Sequence, residues 1–401
     1  MIFDKGFFPY LEQHPDVAYF DNASTTHIHQ FVLDAMTDYY VQSGATPNRG
    51  VSPAAELAED MVAKSANSIS RLLDRPAQDI LFTSGATEGL NWVAQWHSDV
   101  DVVIISESDH HSVYMPFLQQ GRSTELNNLV ILPCDVYGNV MFEEAIHEFN
   151  KLTEAGLNAL IILTDVSNIT GRSITAELAI MAKNRQFTVC VDLSQSILHH
   201  SVDCCYNKAD YLLFSIHKMF GPKGVGVLYA KNSHTLPAIK VGGGTAQYVD
   251  STGYELYPDN RRHMAGTPNT AGIIGAGVCA DLNDYVGYED IYFMNTELQD
   301  SLTLHGLFDL AELNPIAGLD ATNKTFSTVF TFEPTGFSSI DLTEMLYNKG
   351  VVIRAGDMCA QPFARTKSDQ GLIRISIAPY NTDEDCQKLV HTIKQCIFTL
   401  T

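Results

Sequence analysis

The chain has few basic residues and a large excess of acidic ones. Its 401 residues include 25 Lys and Arg against 47 Asp and Glu, which gives a net charge of −22 at pH 7. A general nucleic-acid-binding protein needs a basic surface, and attraction to an anionic membrane surface needs one too. The composition therefore argues against both kinds of partner, and the acidity favours solubility instead.

Long apolar runs and metal-binding cysteine motifs are also missing. No apolar stretch reaches the roughly 20 residues that span a bilayer, and the N-terminus lacks the basic region and apolar core of a signal peptide. The 8 Cys form neither a C-x-x-C motif nor a Cys/His spacing typical of zinc sites. We therefore expect a cytoplasmic protein with reduced thiols, no membrane association and no bound metal.

What the chain does contain is a repeated alternation of apolar strands with helices. Helical segments at 53–73, 142–151 and 176–184 lie among the predicted strands. These strands are 80–83, 102–106, 129–132, 159–164, 188–192, 211–214 and 225–229. Continuous apolar strands that alternate with helices predict an α/β protein with a mainly parallel sheet covered on both faces.

The pattern changes after about residue 290. Strands are predicted at 325–333, 351–354 and 372–377, with helices at 339–348 and 383–397. This arrangement predicts a smaller α+β domain. The predicted boundaries are an N-terminal segment 1–20 that joins the small domain, a large domain 21–285 and a small domain 286–401.

A polar stretch, 245–262, interrupts the regular pattern before the small domain. We predict that it is poor in strand and projects from the body of the protein. A flap, a dimer contact and an ordinary surface loop all remain open for it.

The stretch 209–230 joins two apolar segments through a lysine and a glycine-rich turn. Its first strand is followed by Ser215, His217 and Lys218. A lysine at the mouth of a dry cleft loses its proton more easily and can attack an aldehyde. One hypothesis is that Lys218 binds pyridoxal 5′-phosphate (PLP) as a Schiff base, with Ser215 and His217 as phosphate donors. The other is an ordinary strand–turn–strand with a solvated lysine, and the stretch alone does not decide between them.

A second anion-binding feature is the tight turn SGATEG, which opens a helix. Backbone N–H groups at this helix start, at Ala86 and Thr87, together with the Thr87 hydroxyl, offer donors to a phosphate. Many helices begin in this way without binding anything, so the turn is weak support when taken alone.

Further polar residues follow the ends of the other predicted strands. Ligands of parallel sheets lie beyond the carboxyl ends of the strands, where these residues are expected to meet. Asp192 could pair with a protonated pyridine nitrogen and His110 could stack on the ring, while Gln195 and Asn168 could bond near its phenolic oxygen. Each of them, taken singly, is better explained as a strand-end cap, but together they favour a cofactor site.

The predicted small domain carries a cysteine close to arginines. Cys359 lies on a loop that begins near Arg354, and Arg374 lies on the next strand. A thiol near arginines is drawn toward the nucleophilic thiolate, and an arginine presents a planar fork to a substrate carboxylate. An inert loop thiol is an equally good interpretation of these local features.

The chain contains, in this order, TSGATEGLN, SDHH, DVSNITG, VDLSQSILHH, FSIHKMFGPKGVGVLY, MAGTPNTAGIIG, RAGDMCAQP and RISIAPYNT. As a set, these motifs resemble those of the PLP-dependent cysteine desulfurases, in the sulfur-mobilisation and selenocysteine-lyase branch of the class V aminotransferases. The resemblance runs from about residue 19 to residue 390. It implies the fold type I of PLP-dependent transferases, with a seven-stranded sheet in the large domain, and a homodimer.

The resemblance also implies an activity and a role for each candidate residue. The protein would convert L-cysteine to L-alanine and transfer the sulfur to Cys359 as a persulfide, for delivery to an acceptor protein. Lys218, Cys359 and His110 would be the catalytic residues. The cofactor would be held by Ala86, Thr87, His110, Asp192, Gln195, Ser215, His217 and Lys218, with Thr267 contributed by a partner subunit. The substrate would be held by Asn168, Arg354 and Arg374.

Two positions depart from the family pattern. Asp357-Met358 stands where the family usually has histidine beside the cysteine, and an acidic neighbour disfavours a thiolate at Cys359. Asn48 stands where close relatives often have histidine. The alternatives are therefore another class V reaction, namely C–S or selenocysteine lysis, epimerisation or transamination, and, less favoured, a catalytically silent binding protein.

Overall fold

The computed structural model describes residues 2–47, 51–135, 137–172, 176–202, 204–317 and 327–401. Within these ranges, no helix combines the length and the apolar character needed to cross a bilayer. The helices are α1 Pro9–Gln13, α2 Gln30–Gln42, α3 Pro53–Leu73, α4 Ala86–Trp96, α5 His111–Gln119, α6 Phe142–Glu154, α7 Ala176–Asn184, α8 Thr270–Val286, α9 Tyr288–Leu304, α10 Ser339–Tyr347, α11 Gln361–Lys367 and α12 Asp383–Leu400.

The strands, in the same numbering from the N-terminus, are β1 Ala18–Tyr19, β2 Ile80–Thr83, β3 Val102–Ser106, β4 Leu129–Leu132, β5 Ala159–Thr164, β6 Thr188–Asp192, β7 Tyr211–Ser215, β8 Gly226–Ala230, β9 Ala246–Val249, β10 Tyr254–Leu256, β11 Leu313–Ala317, β12 Val329–Pro334, β13 Val351–Val352, β14 Arg354–Gly356 and β15 Leu372–Ser376.

The large body is built on one seven-stranded sheet in the order β2-β8-β7-β6-β5-β3-β4. Its neighbours from β7 to β4 run parallel, whereas β8 is antiparallel to both β2 and β7. One apolar core joins the sheet to helices α3, α6, α7 and α8, and another joins its opposite face to α4 and α5. The predicted α/β fold with a mainly parallel seven-stranded sheet is therefore confirmed. Strands buried on both faces had to be apolar throughout, which made them visible in the sequence.

A smaller antiparallel sheet, in the order β11-β12-β15-β14, follows in the C-terminal part. Its core contains side chains from α10 and α12, together with Phe20 from the N-terminal segment. Strand β1 pairs in parallel with β13. The start of the predicted strand 325–333 lies outside the described residues, and the exact domain boundaries stay a prediction.

The prediction that 245–262 is poor in strand was wrong. Strands β9 and β10 form an antiparallel hairpin, whose turn is fixed by Asp250 accepting hydrogen bonds from the backbone N–H groups of Thr252 and Gly253. Most side chains of both strands are exposed. Because the hairpin buries neither face, its sequence lacks the apolar alternation by which strands are recognised.

Candidate active site

A cavity of about 240 Å³ lies at the carboxyl ends of the central strands, beneath the loop that follows β14. Every predicted site residue except Thr267 lines it: Ala86, Thr87, His110, Asn168, Asp192, Gln195, Ser215, His217, Lys218, Arg354, Cys359 and Arg374. Thr267 is exposed elsewhere on the chain. Because it was predicted to serve the cavity of a partner subunit, a single chain does not test it.

The start of α4 forms one wall of the cavity. The N–H of Ala86 donates to Ser215 Oγ at the end of β7 over 2.8 Å. The turn passes so close to β8 that a Cβ on Gly226 would lie 2.5 Å from the Cα of Gly85. These contacts fix the first turn of α4 at the cavity, where its N–H groups and the helix dipole favour an anion.

Lys218 and Asp192 both line the cavity and influence each other electrostatically. Lys218 ends the short turn Ile216–Lys218 that follows β7. Burial lowers the pKa of its amine, while the Asp192 carboxylate opposes that shift. Burial raises the pKa of Asp192, and the charge of Lys218 works against this, as does a hydrogen bond from Ser194 N to Asp192 Oδ1 over 2.8 Å. Each group thus favours the charged form of the other in a site that disfavours isolated charges.

The two predicted histidines of the site are neutral at physiological pH. Burial, helped by the charge of Lys218, lowers the pKa of both His110 and His217 to about 4. His110 also caps α5, because its Nδ1 accepts from Ser112 N over 3.1 Å. The Ser112 hydroxyl in turn lies 2.9 Å from Thr87 Oγ1. A neutral ring held in this way can stack on an aromatic ligand without adding charge to the cavity.

Arg374 is paired with a carboxylate that the sequence analysis missed. Its side chain is 3% exposed, and its Nη2 donates to Asp21 Oδ1 over 2.9 Å and to Ser24 Oγ over 2.7 Å. Its Nη1 donates to the backbone oxygen of Asn168 over 3.0 Å. Burial lowers the pKa of Arg374, and Asp21 opposes this. Its buried Nε has no hydrogen-bond partner among the described residues, so a donor remains uncommitted.

No local signal in the sequence could have found Asp21 as the partner of Arg374. The two residues are 353 positions apart, and a single β-bridge between Asp21 and Ser376 brings them together. Asp21 stands in a run of small polar residues that reads as an ordinary turn.

The loop after β14 presents the Cys359 thiol to the cavity. Cys359 O accepts from His111 N over 2.7 Å, and Met358 O accepts from Asn168 Nδ2 over 2.7 Å. Met358 and Cys359 have φ values of 51° and 56°, in the left-handed region that few non-glycine residues adopt. Met358 is buried and also lines the cavity. The large body therefore imposes the conformation of this loop.

The two departures from the family pattern have different outcomes. The Asp357 carboxylate lies 3.9 Å from Arg365 Nε, so its charge has a counterion on α11. Its effect on the Cys359 thiol stays a prediction. Asn48 lies outside the described residues.

Comparisons with known proteins agree on one family. The model for the class-V aminotransferases matches residues 18–389. A cysteine desulfurase of Enterobacter sp. (strain 638) is 29% identical, over 94% of this chain and 93% of that protein. A probable cysteine desulfurase of Ureaplasma parvum serovar 3 is 28% identical, over 98% of this chain and 96% of the relative.

Solved structures give the same result. The apo structure of a cysteine desulfurase from Thermococcus onnurineus NA1 superposes with a TM-score of 0.89 at 27% identity, covering 99% of this chain and 98% of that one. The cysteine desulfurase CsdA from Escherichia coli superposes with a TM-score of 0.84 at 25% identity, again covering 99% and 98%.

Proposed function

The chain belongs to the class-V aminotransferase family, and from this premise we propose that it is a PLP-dependent cysteine desulfurase. It would convert L-cysteine to L-alanine and take the sulfur onto Cys359 as a persulfide for an acceptor protein. One observation carries the proposal: a single cavity combines an anion-binding helix start, a lysine, a buried carboxylate, a buried arginine and a loop cysteine. Relatives named as cysteine desulfurases match this chain over nearly their full length, which supports the proposal.

The residues present fit PLP. Its phosphate suits the start of α4 with the Ser215 and His217 side chains, and its aldehyde would be held by the Lys218 amine. Asp192 would pair with the ring nitrogen and the neutral His110 ring would stack on the ring face. The cavity also contains a buried hydroxyl, Ser194 Oγ, without a partner among the described residues, as expected where a polar ligand completes the hydrogen bonding.

When bound, PLP supplies an electron sink for the substrate α-carbon. Because its pKa is lowered, the Lys218 amine is more readily available than a free lysine to accept the α-proton. Arg374, which lines the cavity, would bind the substrate carboxylate. The Cys359 thiolate would attack the substrate sulfur as the C–S bond breaks. In the overall balance, cysteine and the Cys359 thiol give alanine and a Cys359 persulfide, so no external oxidant is needed.

We further propose that the protein works as a homodimer, in which Thr267 of a second copy completes the phosphate site. The exposed position of Thr267 and the exposed hairpin β9–β10 agree with a contact on this side. The cytoplasmic location and the identity of the sulfur acceptor stay predictions.

The test is incubation of the purified protein with L-cysteine, followed by measurement of alanine, sulfide and the persulfide mass on Cys359. Lys218→Ala should abolish the yellow absorbance of the bound cofactor. Cys359→Ala should retain that absorbance and lose sulfide release, whereas Cys134→Ser, at a cysteine outside the cavity lining, should retain both.

Two outcomes would contradict the proposal in different ways. Full desulfurase activity in Cys359→Ala would move the reaction to a lyase that needs no protein thiol. A purified protein without the visible cofactor band, even after PLP is added, would favour a silent binding protein.

A second candidate is lysis of another sulfur or selenium amino acid on the same site. It is favoured by Met358, a buried thioether that lines the cavity in the loop segment where the family usually has histidine. Parallel assays with cysteine, selenocysteine and a keto-acid acceptor would separate desulfuration, selenocysteine lysis and transamination.

A further inference from the structure

The side chain of His111 has no part in the proposed chemistry, and it does not line the cavity. It contacts the Cys359 loop instead. Gln361 N lies 3.3 Å from His111 Nε2, to which it donates, and the backbone N–H of His111 donates to Cys359 O over 2.7 Å. One residue of the large body therefore holds the loop on both sides of Ala360.

We propose that His111 is a positioning residue that latches the Cys359 loop and thereby holds the thiol at the cavity during sulfur transfer. The catalytic consequence of this latch rests on the proposed desulfurase function. The contact itself does not, because the hydrogen bonds exist whatever the reaction is.

The loop needs such a latch because its backbone is strained. Met358 and Cys359 are consecutive non-glycine residues with positive φ. Residues in this region persist only where the surroundings impose the conformation. That constraint comes from the hydrogen bond that His111 N donates, the one that His111 Nε2 accepts and the one from Asn168 Nδ2 to Met358 O, together with the burial of Met358.

The N–H group at the start of the helix that follows the loop requires a hydrogen-bond acceptor on the His111 ring. Gln361 is the first residue of α11, and N–H groups in the first turn of a helix have no acceptor within the helix. His111 Nε2 supplies an acceptor from outside. A ring nitrogen that accepts a hydrogen bond must be unprotonated, so the ring carries its proton on Nδ1. The latch therefore depends on an acceptor at this one position.

Three variants distinguish the effect of the hydrogen-bond acceptor from the effect of side-chain size. The oxygen of His111→Gln reaches approximately as far as Nε2 and keeps an acceptor. His111→Phe keeps a ring of similar size without one, and His111→Asn keeps an amide that is too short. If His111→Phe fails to fold, judged by its far-UV circular dichroism, the comparison of His111→Asn with His111→Gln still tests the latch.

Two measurements on the cofactor-loaded protein report on the loop directly. Amide hydrogen exchange of the peptide covering residues 358–363 should be roughly fivefold faster in His111→Phe and His111→Asn, a factor that matches the loss of one ordinary hydrogen bond. Alkylation of Cys359 by iodoacetamide, followed by mass spectrometry, should also become faster. Cys205 serves as the reference thiol, because it lies outside the loop and the cavity lining. His111→Gln should match the unmodified protein in both measurements.

Turnover supplies the functional readout. In His111→Phe, kcat for cysteine should fall while KM stays within about twofold, because the substitution removes no contact of Asn168 to Arg374 or to Met358 O. Equal exchange and alkylation rates in all variants would overturn the latch, and so would equal losses in His111→Gln and His111→Phe, which would indicate ring packing only. A protein without desulfurase activity that still shows the expected exchange pattern would refute the proposed function and leave the latch intact.

Discussion

Replacement of Asp21 by asparagine tests the buried charge pair on which the proposed carboxylate site depends. Asp21 Oδ1 lies 2.9 Å from Arg374 Nη2, and the two side chains are 12% and 3% exposed. Removing one partner of a buried ion pair leaves an uncompensated charge and costs about 3–5 kcal/mol. Asparagine keeps an oxygen that can accept from Arg374, so we expect about 3 kcal/mol, at the lower end of that range.

A second Arg–Asp pair in the same chain provides a matched control. Arg71 Nη2 and Asp281 Oδ1 are 2.8 Å apart, but their side chains are 59% and 55% exposed. Solvent screens such a pair, which typically contributes about 0–1 kcal/mol. Thermal unfolding of Asp21→Asn and Asp281→Asn, measured at one pH and one protein concentration, should therefore show a clear loss of stability only in the first variant.

The same substitution should change how the protein responds to carboxylates. Without Asp21, the charge of Arg374 can be compensated by the carboxylate of an added amino acid, so L-alanine should raise the melting temperature of Asp21→Asn more than that of the unmodified protein. A carboxylate site at Arg374 predicts this excess. If Asp21→Asn melts like Asp281→Asn and gains no more from alanine, Asp21 does not compensate Arg374 and the reasoning fails.

Three further predictions concern the proposed PLP-binding site and the dependence of stability on pH. Gly226→Ala would place a Cβ 2.5 Å from Gly85 Cα, so PLP retained per chain after dialysis should fall, and full retention would contradict the close approach. Ser215→Ala removes the hydroxyl proposed to donate to the phosphate, and because a hydrogen bond to a charged group is worth about 1.5–3 kcal/mol, PLP titration should give roughly tenfold weaker binding or worse. Burial lowers the pKa of His199 to about 3, so the stability it contributes is present above its unfolded pKa of about 6.5 and is lost as the pH falls toward 3. At pH 4 that loss is about 3 kcal/mol, and His199→Gln should unfold at a lower pH than the unmodified protein, whereas coincident acid-unfolding curves would refute this.

The sequence identified those elements whose local pattern matches their final environment. The strands of the large sheet are apolar throughout because helices cover both faces, and they could be predicted almost to the residue. Helix α3 was predicted with its observed bounds from its amphipathic pattern and the proline in its first turn. In the structure, Ser52 caps its start and Asp74 ends it in a left-handed conformation. Strand β11 and the hairpin β9–β10 were not predicted. Most side chains of the hairpin are exposed, so its sequence lacks the apolar alternation that would have predicted its strands.

In the candidate site, too, some residues could be predicted from local pattern and others could not. Residues at or shortly after the ends of the central strands, such as Asp192 and Lys218, could be grouped in advance because parallel strands end at one edge of a sheet. The partners of Asp21 and His111 could not be found in this way, since they lie in distant parts of the chain. His111 meets Gln361 across 250 positions. Pairs of this kind depend on how the small sheet docks on the large one, which no local periodicity encodes.

The structure gives Asn168 a wider role than the predicted one of holding the substrate. Its backbone oxygen accepts from Arg374 Nη1, and its side-chain Nδ2 donates to Met358 O. Asn168, in the segment after β5, is thus hydrogen-bonded both to the arginine proposed to bind the substrate carboxylate and to the loop that presents the thiol. The carboxylate site and the Cys359 loop therefore share contacts to one residue of the large body. Asn168, which was predicted to hold the substrate, therefore also contacts both Arg374 and the Cys359 loop.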